Sequence, residues 1–173
     1  MADPTVEEVD AFIEGYKTLD GFLPDWEQSF GWDWNTRWGI LDLHGRQQAE
    51  LVFTINAALT HPSICAIYRK KLIYRVDIVP MTEMKPNDYG ALALGLPAYV
   101  TGPHTHPWPE HREFVRLNGF GELPFRKAVD IVDVQFIRAL EVASADLNIH
   151  VEPRQRECEP PRQAALFADR LGL

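Results

Sequence analysis

Apolar residues recur at helical spacing in two stretches of this chain and alternate with polar ones in several others. Val6, Val9, Phe12, Ile13 and Tyr16 form one stripe, and Thr5 with Glu8 ahead of it has the spacing of a capping box, so a first helix is predicted from about Thr5 to Thr18, ended near Gly21. Ala49, Leu51, Phe53 and Ile55 alternate with Glu50, Val52 and Thr54, the period of a half-buried strand. Trp38–Leu43 and the His44-Gly45 pair before them complete a predicted hairpin. Ile64–Arg69 and Leu72–Val79 predict two more strands. On the second, Leu72, Tyr74, Val76 and Ile78 are expected to share one face, and Ile73, Arg75, Asp77 and Val79 the other.

The segment Pro80–Pro97 holds three prolines, two glycines and Asn87-Asp88, which predicts a long loop, with a short strand around Ala98–Thr101 behind it. Val129, Val132, Phe136, Ile137 and Leu140 recur at helical spacing with Asp130, Asp133, Arg138 and Glu141 turned outward, predicting a second long helix. Leu147–Val151 reads as an edge strand and Arg162–Leu171 as a short closing helix. This order of elements predicts an α+β fold in which one antiparallel sheet of about 4–6 strands is flanked by an N-terminal helix and a C-terminal helix pair. A single domain over residues 1–173 is expected, since a chain of this length buries a core without staples.

Composition narrows the class. With 46% hydrophobic and 24% charged residues the chain reads as globular, and no apolar run is long enough to cross a membrane. The start, Met-Ala-Asp-Pro-Thr-Val-Glu-Glu, lacks the basic and apolar regions of a secretory signal, and two cysteines, Cys65 and Cys158, make no disulfide scaffold, so the cytoplasm is the expected compartment. The net charge of −8 is unevenly spread: residues 1–64 carry 3 Lys/Arg against 11 Asp/Glu, residues 65–127 carry 9 against 6, and residues 128–173 carry 5 against 8. The basic middle is compatible with an anionic ligand such as a phosphate backbone, and equally with intramolecular pairing to the acidic ends. Four of the five tryptophans fall in the run Phe22, Trp26, Phe30, Trp32, Trp34, Trp38, where Asp25, Glu27 and Asp33 are the neighbours. Stacking platforms for single-stranded nucleic acid need basic neighbours, so core and rim packing is the expectation for these rings.

The chemistry concentrates in Gly102-Pro103-His104-Thr105-His106-Pro107-Trp108-Pro109-Glu110-His111-Arg112, which holds three of the six histidines. Alternate residues of an extended segment point the same way, so His104 and His106 can converge on one ligand. Two chemistries fit. The first is metal-free acid–base catalysis of the kind RNA cleavage requires, with His104 and His106 exchanging protons and Arg75, Arg112 and Arg116 contacting phosphate, next to a basic surface at Arg69, Lys70 and Lys71. Asp77 and Trp108 join the candidate binding residues. The second needs a divalent cofactor such as zinc, bound by His104 and His106 with His111, Asp77 or Glu110 completing the shell. A cysteine nucleophile is a poorer fit. His61-Pro62-Ser63-Ile64-Cys65 resembles the His-Pro-Asn segment and downstream cysteine of ubiquitin-conjugating folds at a shorter spacing, but Cys65 reads as buried strand, where a thiol is inert. No phosphate-binding glycine loop, Gly-x-Ser-x-Gly elbow or dinucleotide fingerprint is present.

Tyr74-Arg75-Val76-Asp77, then Lys85-Pro86-Asn87, then Gly102-Pro103-His104-Thr105-His106 resembles the TumE-like toxin group and its relatives from bacterial toxin–antitoxin and phage-defence loci, over about residues 67–127. The resemblance implies a small toxin-like protein acting on RNA, with a cognate antitoxin as partner. The acidic, tryptophan-rich first 64 residues have no counterpart in it. They support a rival expectation, a non-catalytic inhibitor that docks a basic partner through an acidic, aromatic N-terminal surface.

Overall fold

The computed structural model describes residues 3–29, 33–56, 61–131 and 136–158. Helix α1 (Val6–Glu14) begins where its capping box predicts: Thr5 Oγ1 accepts the Glu8 N–H at 3.2 Å, and the Glu8 carboxylate accepts the Thr5 N–H at 2.9 Å. It ends at Gly15, short of the expected Thr18, because the Lys17 ammonium folds back to donate to the carbonyls of Phe12, Ile13 and Gly15 and the chain turns into strand β1 (Lys17–Leu19). The aromatic run then supplies β2 (Glu27–Gln28) and β3 (Trp34–Leu41). Trp38 is buried, and Trp26 meets Phe53 and Phe136 edge-on at 6.3 and 5.6 Å, so these two rings pack. Phe30 and Trp32 lie outside the described residues.

The expected hairpin pairs β3 with β4 (Gln47–Ile55) around a turn in which the Asp42 carboxylate accepts the His44 and Arg46 amides. Strands β5 (Ser63–Tyr68) and β6 (Lys71–Asp77) follow, joined by Arg69 and Lys70, both at positive φ (46° and 67°), the backbone a two-residue hairpin turn requires. One correction falls here. The register shifts between Ala66 and Ile67, so Leu72 lies opposite Ile67 while Tyr74 lies opposite Ala66; Ile73 is the extra residue of a bulge, and Leu72 and Tyr74 do not share a face.

The expected long loop is more structured than its prolines suggest. It holds β7 (Met84–Pro86) and a 3-10 turn at Tyr89–Leu94; the short strand expected behind it is β8 (Tyr99–Thr101), paired with β7 as a separate ribbon. Strand β9 (His104–His106) is distinct from β8 and enters the main sheet. Helix α2 (Trp108–Asn118) was not expected; Pro107 caps it and Pro109 lies in its first turn, where no intrahelical N–H bond is lost. Strand β10 (Lys127–Ala128), helix α3 (Phe136–Asp146) and β11 (Ile149–His150) complete the order. The predicted helix through Val129 starts late, because Lys127–Ala128 pairs with β9 and the Val129 amide bonds to the Pro103 carbonyl. Val132, Asp133 and the helix expected at Arg162–Leu171 lie outside the described residues.

The fold is α+β, but its sheet is mixed and larger than expected. Among the described residues nine strands join in the order β10-β9-β6-β5-β4-β3-β1-β11, with β2 on β3, and β1 pairs parallel with β11. Strands of two residues are too short to carry an alternation, which is why β2 and β10 escape a reading by period, while β11 falls inside the edge strand expected at Leu147–Val151. One face of the sheet carries Trp38, Leu51, Phe53, Ile64 and Val76 into a core shared with α1 and α3. Burying each such side chain contributes roughly 1.5–3 kcal/mol. No helix among the described residues is long and apolar enough to cross a membrane.

Candidate metal centre

The opposite face of the sheet carries the chemistry, and strand pairing places it there. Thr54 lies opposite Ser63, Ser63 opposite Asp77, and Asp77 opposite His104; beside that row, Cys65 lies opposite Arg75 and Arg75 opposite His106. Directly paired residues share a face, so Arg75, Asp77, His104 and His106 form one patch. The bulge at Ile73 sets this register, since a one-residue slip would turn Arg75 and Asp77 to the core.

Both imidazoles are held in one tautomer. His104 Nδ1 meets the Gly102 carbonyl at 2.9 Å and His106 Nδ1 meets the Leu123 carbonyl. A carbonyl only accepts, so both Nδ1 atoms carry the proton and donate it. Both Nε2 atoms then face Asp77 Oδ2, at 3.7 Å from His104 and 3.3 Å from His106. The other carboxylate oxygen, Oδ1, receives Arg75 Nε at 2.8 Å and Nη2 at 2.7 Å. Burial works to raise the Asp77 pKa, but the adjacent His106 ring and the Arg75 guanidinium prevail and hold it below the usual carboxylate range. Burial lowers the His104 pKa against the opposing pull of the Gly102 carbonyl, and the positive charge of Arg126 adds to the lowering. Burial thus disfavours the charged form of His104, and its Nε2 faces the same carboxylate oxygen as His106 Nε2, an arrangement that a cation between them would satisfy.

One atom each from Asp77, His104 and His106 lies within 4.8 Å of the others. Two ligands each roughly 2.1 Å from one tetrahedral ion stand about 3.4 Å apart, close to the observed nitrogen–oxygen separations. Carbonyl-anchored Nδ1–H groups and a guanidinium on the second carboxylate oxygen are the outer contacts that orient metal ligands. The donor set therefore fits a borderline divalent ion such as zinc. The cluster opens into a pocket of about 420 Å³ that also includes His61, Glu83, Lys85 and Arg126.

The remaining sequence candidates are elsewhere. His111 donates from Nδ1 to the Pro107 carbonyl at 2.7 Å and accepts the Phe125 N–H at Nε2 at 2.9 Å, so it has no lone pair to offer. Glu110 and Trp108 line a separate pocket of about 230 Å³ that Thr105, between the two site histidines, also borders. Trp108 donates to Asp10 at 2.8 Å, Arg112 pairs with the same carboxylate at 2.7 Å, and Arg116 pairs with Glu7 at 2.9 Å. Arg69 pairs with Glu8 and Lys71 with Asp3. Much of the basic middle segment is thus engaged by the acidic N-terminus, the intramolecular alternative among the two charge readings. Burial pushes the Cys65 thiol up to about 11, which keeps it protonated.

Sequence reasoning missed Arg126, Lys85 and the placement of His61. Nothing local marks them: Lys85 comes from the β7–β8 ribbon, Arg126 from the chain after α2, and His61 from just ahead of β5. His61 Nε2 stands 3.1 Å from Glu83 Oε2, and Lys85 also pairs with Glu83. Comparison with family models, with curated proteins and with solved structures finds no match. The site geometry is therefore the ground for a functional reading.

Proposed function

We propose that the protein binds a divalent metal ion through Asp77, His104 and His106 and uses it to cleave phosphoester bonds. The observation that carries this reading is the pair of Nδ1-anchored imidazoles whose Nε2 atoms converge on one carboxylate oxygen. Two nitrogens and one oxygen leave positions on such an ion for water and substrate, and a bound ion lowers the pKa of its water toward neutrality. Arg75 fixes Asp77 with its ligating oxygen turned to the histidines. RNA, the substrate implied by the toxin-like resemblance, is the first phosphodiester to test, and a toxin or defence role follows if it is cut.

Metal-free acid–base catalysis is the weaker version, because burial disfavours His104 as a cation. The docking-inhibitor reading loses support from the pairing of Glu7, Glu8 and Asp10 with Arg116, Arg69 and Arg112.

The test is calorimetric titration of zinc into the chain and into Asp77→Asn and His106→Asn, followed by cleavage of RNA and of bis(p-nitrophenyl) phosphate with and without a chelator. Wild type should bind one ion, with the variants weaker by on the order of 100-fold or more. Cleavage should vanish with chelator. Unchanged zinc affinity in both folded variants overturns the site, and chelator-resistant cleavage overturns the role of the metal.

A further inference from the structure

Arg126 differs from the other cations of the pocket. Arg75 is committed to Asp77 and Lys85 to Glu83. Among the described residues the Arg126 guanidinium meets carbonyl oxygens only, Pro86 at 2.5 Å and Pro124 at 3.4 Å from Nη1, while its Nε is buried with no acceptor. A buried donor left without a partner costs roughly 1–3 kcal/mol, a cost the fold bears at this guanidinium.

The backbone beneath it is fixed. Asn87 Oδ1 accepts the Arg126 N–H at 2.6 Å, and Asn87 Nδ2 donates to the Arg126 carbonyl at 3.0 Å and to the Pro97 carbonyl at 2.8 Å. One asparagine thus clamps the residue between the β7–β8 region and the chain that leads into β10. An arginine held this way, bordering the same pocket as Asp77, His104 and His106, is a preorganised anion receptor.

We infer that Arg126 anchors a phosphate group of the substrate next to the Asp77–His104–His106 cluster, as the specificity residue of the pocket. The inference deepens the metal reading, on which it rests for what the phosphate meets on its other side. With Arg75 and Lys85 neutralised locally, Arg126 and a divalent ion leave excess positive charge, offset on the protein side by Asp33. A tetrahedral phosphate can give one oxygen to the guanidinium and another to the ion, whereas a planar carboxylate has only two oxygens in one plane to divide between them. The anchor is thus Arg126 rather than Arg112 or Arg116, whose charges are spent on Asp10 and Glu7.

The probe is adenosine monophosphate, with adenosine as the phosphate-free control, titrated calorimetrically into zinc-loaded and zinc-free protein. Wild type should bind the monophosphate and not adenosine, and Arg126→Met should weaken that binding by about 10- to 100-fold without weakening zinc binding. Lys85→Met should change it by less than about threefold, in line with its surface pairing. If Arg126→Met folds poorly, phenylglyoxal modification of the wild type reads the same contact: the monophosphate should protect Arg126 in the peptide map, and adenosine should not. Equal affinity in Arg126→Met, or no protection of Arg126, overturns the inference. Failure to bind zinc together with Arg126-dependent monophosphate binding overturns the metal reading alone and leaves the phosphate anchor standing.

Discussion

His111 should make the fold sensitive to mild acid. It is fully buried, with its Nδ1–H given to the Pro107 carbonyl and its Nε2 lone pair receiving the Phe125 amide. Protonation at Nε2 would set one N–H against another, so the native state resists a proton that the unfolded chain accepts at about 6.5. Burial, the largest cause, pushes the pKa down from 6.5 to about 4. The folded value lies below the unfolded one, so the stabilisation is complete above pH 6.5 and is lost as pH falls from there through 4. At 1.36 kcal/mol per pH unit, that interval corresponds to about 3 kcal/mol, a large fraction of the roughly 5–15 kcal/mol that holds a domain folded. Urea unfolding of wild type and His111→Gln at pH 7, 6, 5 and 4.5 measures it. The variant should start less stable and lose less on acidification, the two curves converging by about 2.4 kcal/mol between pH 7 and 4.5. Taking the difference isolates His111 from His104, whose pKa is lowered as well. Parallel curves would show that the buried ring is not what the acid titrates, and the reasoning would fail.

Three further outcomes are expected. Gly102→Ala should destabilise by about 1–3 kcal/mol and weaken zinc binding, because φ is +78° there, an added Cβ would stand 2.9 Å from Met81 Sδ, and the Gly102 carbonyl orients His104; thermal melting and zinc calorimetry read the two effects separately. Arg112→Ala should leave zinc affinity and cleavage unchanged and cost less than about 1 kcal/mol in urea, since its partner is Asp10 at the α1–α2 contact and not a substrate. Tyr74→Phe should cost about 1 kcal/mol by removing the 2.9 Å bond to Asp146, with no change in zinc titration because that hydroxyl points away from the metal cluster; a loss of zinc affinity would contradict the two-faced sheet.

The central meander was legible because its chemistry alternates. β3 to β6 lie within a few residues of their predicted limits, where Leu51, Phe53 and Ile55 bury one face and Glu50 and Thr54 meet the other side. Periodicity failed where something other than side-chain burial fixed the backbone. Proline is a poor guide to the limits of α2, since it excludes a helix interior but suits its first turn. Ile73 and Tyr74 are both almost fully buried, so no polar residue marks the bulge between them. Within the site, the shared direction of His104 and His106 follows from a spacing of two, and Asp77 was named as a third ligand. Its convergence with them depends on pairing between strands about thirty residues apart.

Charge was the more deceptive signal, and the reason bears on any search for substrate. A segmental excess of arginine reports what those residues can bind, and the first anions available to them are those of the same chain. Asp3, Glu7, Glu8 and Asp10 face Lys71, Arg116, Arg69 and Arg112, so the contrast between the N-terminal and middle segments is spent on docking α1 against α2 and the β5–β6 turn. Exposed pairs of this kind contribute little individually, which makes them a matter of orientation more than of stability. A phosphate-binding residue must instead be a cation that the fold leaves without a carboxylate and holds in place for another purpose. Arg126 meets that condition because Asn87 grips its backbone while its Nε stays buried without an acceptor beside the histidines, a combination visible only once the β7–β8 ribbon and the chain after α2 come together.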